Sequence, residues 1–330
     1  MRELNADVEF PDGWQVRRPT LDDVPEILAM AQAACLAATG QPEFTDQEVR
    51  EALTAGQADP ARDSWLAIDP AGAVAGWAYL DGPDDDAEEF VEVFVRPDGG
   101  APALAPLLQR QLLRVAERAV DLGHPRMTVR AGAVPTERDW ISVLRAAGFA
   151  FVKRSARMRR ALDDVSAEPP PPPPGMLIRP VNPDDEAELR LVHDILETAF
   201  RDAPDHSPTP YDRWRADLAA LPNVAWDEWF LAHVDGVPAG ALQSSDQQVD
   251  NGEGWVKRLA VLRAYRRRGV GGALLRRAFA AYAGKGRTHA GLGVDLSNPT
   301  EAVRLYRAVG MTAEYEADIF ERSVEPGVAA

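Results

Sequence analysis

Between residues 259 and 275 the chain reads Leu259-Ala260-Val261-Leu262-Arg263-Ala264-Tyr265-Arg266-Arg267-Arg268-Gly269-Val270-Gly271-Gly272-Ala273-Leu274-Leu275. An apolar strand runs into a bend of three arginines and three glycines, and the bend opens an amphipathic helix. Glycine accepts left-handed dihedrals and lets a ligand approach the backbone without a Cβ in the way. The first turn of a helix offers N–H groups without intrahelical partners and a partial positive charge. Together these features make a cradle sized for a phosphate or pyrophosphate. Neither of two better-known phosphate motifs fits: no Lys-Ser/Thr follows the glycines as in a P-loop, and the spacing is not Gly-x-Gly-x-x-Gly. Read alone, the run is equally well a solvated basic patch.

A second constellation lies downstream, in Asp295-Leu296-Ser297-Asn298-Pro299-Thr300-Glu301-Ala302-Val303-Arg304-Leu305-Tyr306-Arg307-Ala308-Val309-Gly310-Met311. It joins a strand end to a helix through Asn298-Pro299. Asn298 can cap that helix or bond a ligand amide, and Ala302 permits close approach. Ala302, Leu305 and Val309 recur at i, i+3 and i+7 and form the core stripe, with Tyr306 beside them.

The pair resembles the GNAT superfamily of acetyl-CoA-dependent N-acyltransferases. The family's turn pattern (arginine or glutamine, two residues, glycine, one residue, glycine or alanine) is met by Arg266, Gly269 and Gly271. Its later pattern is met by Asn298, Ala302, Leu305-Tyr306 and Gly310-Met311. The resemblance implies that acetyl-CoA is a co-substrate. Its pantetheine arm would lie against backbone N–H groups of Leu259, Ala260 and Val261, and its pyrophosphate in the turn Arg266, Arg267, Arg268, Gly269, Val270, Gly271 and Gly272, with Asn298 as a further contact. An amine would attack the acetyl carbon directly in a ternary complex, backbone N–H groups would stabilise the oxyanion, and Tyr306 would protonate the departing thiolate. For Tyr306 the plainer alternative is a tyrosine packed against a sheet. Glu253 lies where such enzymes often keep a carboxylate base, although a solvated strand-end acid reads as well there. Asp246 and Asp250 compete with it. The histidines read as surface or core residues, and no histidine or cysteine pair has metal-ligand spacing, so no metal is expected.

The elements that must position these groups follow a repeated order. Glu168 precedes six prolines, Pro169 to Pro174, expected to form a stiff polyproline II linker of roughly 19 Å at ~3.1 Å per residue. After it, strand, helix, helix, hairpin, strand, helix, strand, helix and terminal strand follow in that order, with Asp235-Gly236 as a type I′ hairpin signal. The same order precedes the prolines. The fold class expected is α/β with a mixed sheet, as two tandem GNAT-like domains: residues 1–168, the linker 169–174, and a catalytic domain at 175–330.

The first half departs from the pattern. When Leu107-Leu108 is aligned with Leu274-Leu275, Pro102 falls opposite Gly269 and Leu104 opposite Gly271, and proline has no N–H to offer. Asp98 would repel a phosphate, Thr136 stands opposite Asn298, and Leu144 stands opposite Tyr306. This half is expected to be degenerate and without cofactor.

Composition bounds the partners. With 36 basic and 52 acidic residues, the net charge of −16 disfavours nucleic acid and anionic membranes and favours amines. No apolar run reaches the ~18–20 residues of a membrane span. The start of the chain has no apolar signal segment, and the single cysteine, Cys35, cannot form an internal disulfide. A cytoplasmic monomer or homodimer is the expectation. The acceptor expected is the primary amine of a small molecule; the alternatives are a protein or peptide amine, or an acyl-CoA-binding regulator without activity.

Overall fold

The computed structural model describes residues 8–42, 44–54, 59–81, 85–201, 208–221, 224–246, 248–296 and 302–326. In chain order its elements are β1 (Gln15–Arg17), α1 (Val24–Thr39), α2 (Asp46–Thr54), α3 (Pro60–Asp63), β2 (Ser64–Ile68), β3 (Val74–Asp81), β4 (Glu88–Val95), α4 (Leu104–Leu122), β5 (Met127–Ala133), α5 (Arg138–Ala146) and β6 (Ala150–Ala161). They continue with β7 (Met176–Pro180), α6 (Glu186–Phe200), α7 (Tyr211–Ala220), β8 (Phe230–Val234), β9 (Val237–Ser245), β10 (Glu253–Val261), α8 (Val270–Gly284), β11 (His289–Asp295), α9 (Ala302–Ala308) and β12 (Thr312–Val324). This mixed α/β order matches the expected one almost element for element. At the β8–β9 hairpin, Asp235 (φ 51°) and Gly236 (φ 80°) both take positive φ, as a type I′ turn requires.

Two compact units form, and their boundaries differ from a division at the proline run. Unit 1 takes residues 1–154 and 316–330, and unit 2 takes residues 155–315. In unit 1, β12 pairs antiparallel with β5, from Asp318 opposite Ala133 to Val324 opposite Met127. In unit 2, β6 pairs antiparallel with β11, from His289 opposite Ala161 to Asp295 opposite Ser155. Each unit is therefore completed by a strand that the sequence repeat assigns to the other half. The physical match lies in the alternation of β6. Ala156 and Met158 join the core of unit 2, while Arg157 and Arg159 on the opposite face reach the carboxylates of Glu253 and Glu314.

The prolines also do more than space two halves apart. They connect β6 to β7, which lie at opposite edges of the unit-2 strand order β6-β11-β10-β9-β8-β7. A Cβ on Gly284 would meet Ala167 at 3.4 Å, and one on Gly269 would meet Pro173 at 3.9 Å. The segment thus runs along α8 from its C-terminal to its N-terminal end. Six prolines at ~3.1 Å each span nearly the ~22 Å of this fifteen-residue helix.

Under that strap, α8 buries Val270, Leu274, Leu275, Ala278, Phe279 and Tyr282 against the sheet. On the other face, α6 and α7 cover Leu231, Ala241 and Ala260 with Leu189, Val192, Trp214 and Leu218. Trp214 and Trp229 belong to this core.

Candidate active site

In unit 2 the parallel strands β10 and β11 are paired over three residues, Glu253 to Trp255 opposite His289 to Gly291. Beyond that point each strand stays bonded on its outer edge only. β10 follows β9 as far as Val261 opposite Gly240, and β11 follows β6 as far as Asp295. A register shift between Val256 and Arg258 marks a bulge where β10 bends away. The inner edges from Val256 and from Leu292 onward form an open fork. Their N–H and C=O groups lack ladder partners there, and a polar, extended ligand can take them up. Leu259, Ala260 and Val261 lie on the β10 arm of this fork.

The β10 arm ends in the arginine–glycine bend. The Leu262 N–H donates to the Ala239 carbonyl at 2.9 Å, and a 3-10 turn covers Arg263–Tyr265. The Arg266 guanidinium donates through Nε to the Val261 carbonyl and through Nη2 to the Ala199 carbonyl, both at 3.1 Å. That side chain clamps the end of β10 to the end of α6, so its contribution to a ligand would come from its backbone. Arg267 takes φ 62° and Gly269 φ 82°, which turns the chain sharply into α8. Arg267, Arg268 and Gly269 are exposed, and the Arg268 guanidinium stands 5.7 Å from the Tyr265 ring centroid. The first N–H of α8 to find an acceptor in the turn is that of Ala273, which donates to the Gly269 carbonyl at 3.0 Å. Those of Val270, Gly271 and Gly272 precede the intrahelical ladder. Gly271 is required by packing too, since a Cβ there would meet Leu305 of α9 at 2.9 Å.

Tyr306 sits on α9 in the core that also holds Leu274 and Val294. It is 9% exposed, and burial pushes its hydroxyl up to about 12. A left-handed Gly310 (φ 85°) closes the helix, and the Met311 N–H returns to the Tyr306 carbonyl at 3.0 Å. Asn298 lies outside the described residues.

Glu253 occupies a different setting from the one its position in the sequence suggests. It is 1% exposed. Its carboxylate lies 2.8 Å from Arg157 Nη2 and 3.5 Å from Arg159 Nε, and Glu314 holds both guanidinium groups from the other side. It stands on the closed side of the fork, over Gly291, whose missing Cβ leaves room for it. The structure thus brings the bend and the β10 arm together with α9 and sets Glu253 apart in a structural ion-pair group. No sequence signal pointed to this, because its partners come from β6, about a hundred residues upstream.

Sequence reasoning passed over Lys257 and Arg258, which the bulge sets at the fork. Burial, with help from Arg258, lowers the Lys257 ammonium, and Asp217 of α7 opposes the shift. Arg258 is paired across the ladder with Gln243. Gln243 is buried, and its Oε1 has no hydrogen-bond partner. Among the described residues no group of three His, Cys, Asp or Glu could hold a metal ion.

Unit 1 carries a fork of the same form. β4 and β5 are paired in parallel over Glu88 to Phe90 opposite Thr128 to Arg130. The bend that follows is closed. Arg96 binds Asp69 at 2.7 Å and its own loop at the Asp98 carbonyl, and the Arg96 bond, with the Ala73 and Ala71 N–H groups, holds the Asp69 carboxyl below its usual range. A Cβ on Gly100 would meet the Arg96 carbonyl oxygen at 2.5 Å, so the bend packs tightly on its own backbone. A 3-10 turn through Pro102 then leads into α4.

The model of the acetyltransferase (GNAT) family matches residues 189–311. Among solved structures, a GCN5-related N-acetyltransferase from Sphaerobacter thermophilus is 24% identical with a TM-score of 0.82, over 98% of this chain and 99% of that one. A tandem GNAT protein from the clavulanic acid biosynthesis pathway is 19% identical with a TM-score of 0.62, over 96% and 100%. At these identities the likeness is one of fold. A comparison with curated protein sequences finds no match. No described helix is long and apolar enough to cross a membrane.

Proposed function

We propose that unit 2, whose residues 189–311 match the model of the acetyltransferase (GNAT) family, moves an acetyl group from acetyl-CoA to the primary amine of a small molecule. One observation carries the reading: the open β10–β11 fork leads directly into a helix start whose N–H groups, glycines and two exposed arginines suit a diphosphate. The residues fit acetyl-CoA in kind. Unladdered strand edges suit the amides of a pantetheine arm, and the Val270, Gly271 and Gly272 N–H groups with Arg267 and Arg268 suit the pyrophosphate. Asn298 is proposed as a further contact on its sequence position alone.

The acceptor attacks as a free amine. Its nitrogen bonds to the acetyl carbon, the carbonyl electrons move to oxygen, and N–H groups of the β10 arm steady that charge. The C–S bond then breaks and the amine loses a proton. The thiolate takes up a proton, so a free amine gives the amide and a thiol with no net proton, and one proton is released only when the count starts from the ammonium form. Tyr306 is the group proposed to meet the sulfur. With its hydroxyl pushed up to about 12, it stays protonated across the neutral range. A free thiol sits near ~8.5, so full transfer from tyrosine is uphill and the hydroxyl acts by hydrogen-bonding the thiolate as the bond lengthens.

Glu253, buried in the Arg157–Arg159–Glu314 group on the closed side of the fork, is not given the part of base. Lys257 and Arg258 suggest another route. Positive charge beside an acceptor ammonium lowers its pKa, so a larger share reaches the fork as free amine and the proton leaves to water.

Unit 1 takes no part in the transfer in this reading, since its bend is filled and Leu144 stands in place of the tyrosine. The test is coenzyme A thiol release by the full chain against a panel of small primary amines, with N-terminal peptides alongside. Tyr306→Phe should cut kcat by ~100-fold, within the range of general acid–base catalysis, and leave acetyl-CoA affinity within about threefold. Thiol release unchanged in Tyr306→Phe, or driven by peptides alone, would overturn the proposal.

A further inference from the structure

The fork of unit 1, closed to a diphosphate, carries on its α1/α2 face a set of acids beside the aromatic residues of the core. Three rungs of the β3–β4 ladder stand in a row there: Trp77 opposite Phe94, Tyr79 opposite Glu92, and Asp81 opposite Phe90. Phe90 is the last β4 residue paired with β5, so Glu92 is the first on that face inside the fork. The next β5 position on the face, Gly132, has no side chain to fill the gap. Trp77 and Tyr79 stack at 4.2 Å between ring centroids, Phe94 lies parallel to Tyr79 at 6.5 Å, and Phe44 meets Trp77 and Phe94 edge-on.

Onto this aromatic floor face acids and no base. The influences on Glu92 are burial, Asp81 and Glu137, and all three push its carboxyl upward. Burial likewise raises Asp81 and Glu137. Tyr79 is raised by burial and by Glu92, Asp81, Glu48 and Cys35, again without a cation among its neighbours. The ring is 5% exposed, and its hydroxyl has no hydrogen-bond partner among the described residues. That hydroxyl is left to solvent or a ligand for its hydrogen bond, and a desolvated carboxylate without a counter-charge is costly. Exposure rises from the floor, Tyr79, through half-buried Glu92 to exposed Asp81 at the rim.

We propose that unit 1 binds a primary alkylammonium ion on the Tyr79–Glu92 rung, as a second site that does no acetylation. The ammonium group pairs with Glu92 and donates to the Tyr79 hydroxyl, and its alkyl part lies along the half-buried Phe94 ring, whose face favours a cation. Asp81 and Glu137 supply the field that draws it in. An organic cation suits the site better than a metal, because the acids do not converge: no described trio of His, Cys, Asp or Glu could hold a metal ion.

The test is calorimetric titration of the full chain with 1-butylamine hydrochloride and with 1,4-diaminobutane dihydrochloride at fixed ionic strength, with magnesium chloride as the comparison. The expected result is saturable amine binding that weakens at least tenfold in Glu92→Gln and about threefold in Tyr79→Phe. Circular dichroism spectra should be unchanged in both. Tyr79→Phe removes only an oxygen and serves where Glu92→Gln does not fold. No saturable amine binding would overturn the proposal. So would amine binding of wild-type strength in the variants, which places the amine elsewhere, or full displacement of the amine by equimolar magnesium.

Discussion

Two forks of the same construction lead into different bends. In unit 2, β10 and β11 part after Trp255 and Gly291, and the chain turns through exposed Arg267, Arg268 and Gly269 into free helix N–H groups. In unit 1, β4 and β5 part after Phe90 and Arg130, and the chain turns through an Arg96–Asp69 pair and a proline. The rung that follows differs as sharply. Unit 2 sets Arg258 opposite Gln243 where unit 1 sets Glu92 opposite Tyr79. The fork persists in both because it follows from sheet packing, with α4 or α8 on one face and two helices on the other. Ligand chemistry resides in about a dozen residues around it, and these can be lost or reversed in sign while the sheet stands. One fork is proposed to hold an acyl thioester, the other an amine.

The largest effect that bears on this comparison comes from cutting the chain between its apparent halves. A fragment 175–330 lacks β6, which leaves Glu253 buried without Arg157 or Arg159. Breaking a buried pair in that way costs about 3–5 kcal/mol, and the buried Met158 and Ala156 are lost besides. The fragment should be insoluble or unfolded by circular dichroism. A soluble fragment with native-like melting would sever the claim that β6 belongs to unit 2. Next in size is Gly271→Leu, whose side chain must displace Leu305 and crowd the helix start. Coenzyme A affinity should fall by at least ~100-fold, whereas Gly99→Ala in the unit-1 bend should leave it unchanged, as titration of each variant would reveal; one turn is proposed to bind and the other is filled.

A smaller effect tests the acidic rung through pH. The Glu92 carboxyl is raised in the folded chain. Between the unfolded value near ~4.5 and the higher folded value, the native state holds a proton that the unfolded chain has released, so wild-type stability falls as pH rises through that window. Glu92→Gln removes this loss. Its melting temperature should exceed the wild type by ~2–4 °C at pH 7.5, with the gap closing toward pH 4.5 as both states become protonated. A gap that widens on acidification would reverse the assignment of a raised carboxyl. Smallest is Pro173→Ala in the strap over α8, expected to lower the melting temperature by ~2 °C through added freedom of the unfolded chain. Differential scanning calorimetry resolves a shift of that size.

Much of the fold was legible because local patterns and tertiary structure agree. The Asp235-Gly236 turn and the glycine after α9 each dictate the end of their own element, and the elements appear in the expected order. The exchange of β6 and β12 was not legible, since Phe149–Arg159 and Met311–Ser323 are both alternating strands and nothing local says which edge each will join. The same limit hid the role of Glu253, whose partners are on β6, and of Lys257 and Arg258, which reach the fork through a bulge that propensity does not encode. The bend at Arg266–Gly272 was readable because glycine spacing before a helix has a backbone meaning of its own. The clamp made by the Arg266 side chain was not, as it depends on α6 arriving beside β10.

The central claim is that one fork of the two grips a diphosphate. Calorimetric titration of the full chain with coenzyme A tests it most directly. The account predicts one equivalent bound per chain, with affinity falling at least tenfold when Arg267 and Arg268 are both replaced by glutamate. Binding of no equivalent, of two, or of one that is indifferent to those replacements would contradict it.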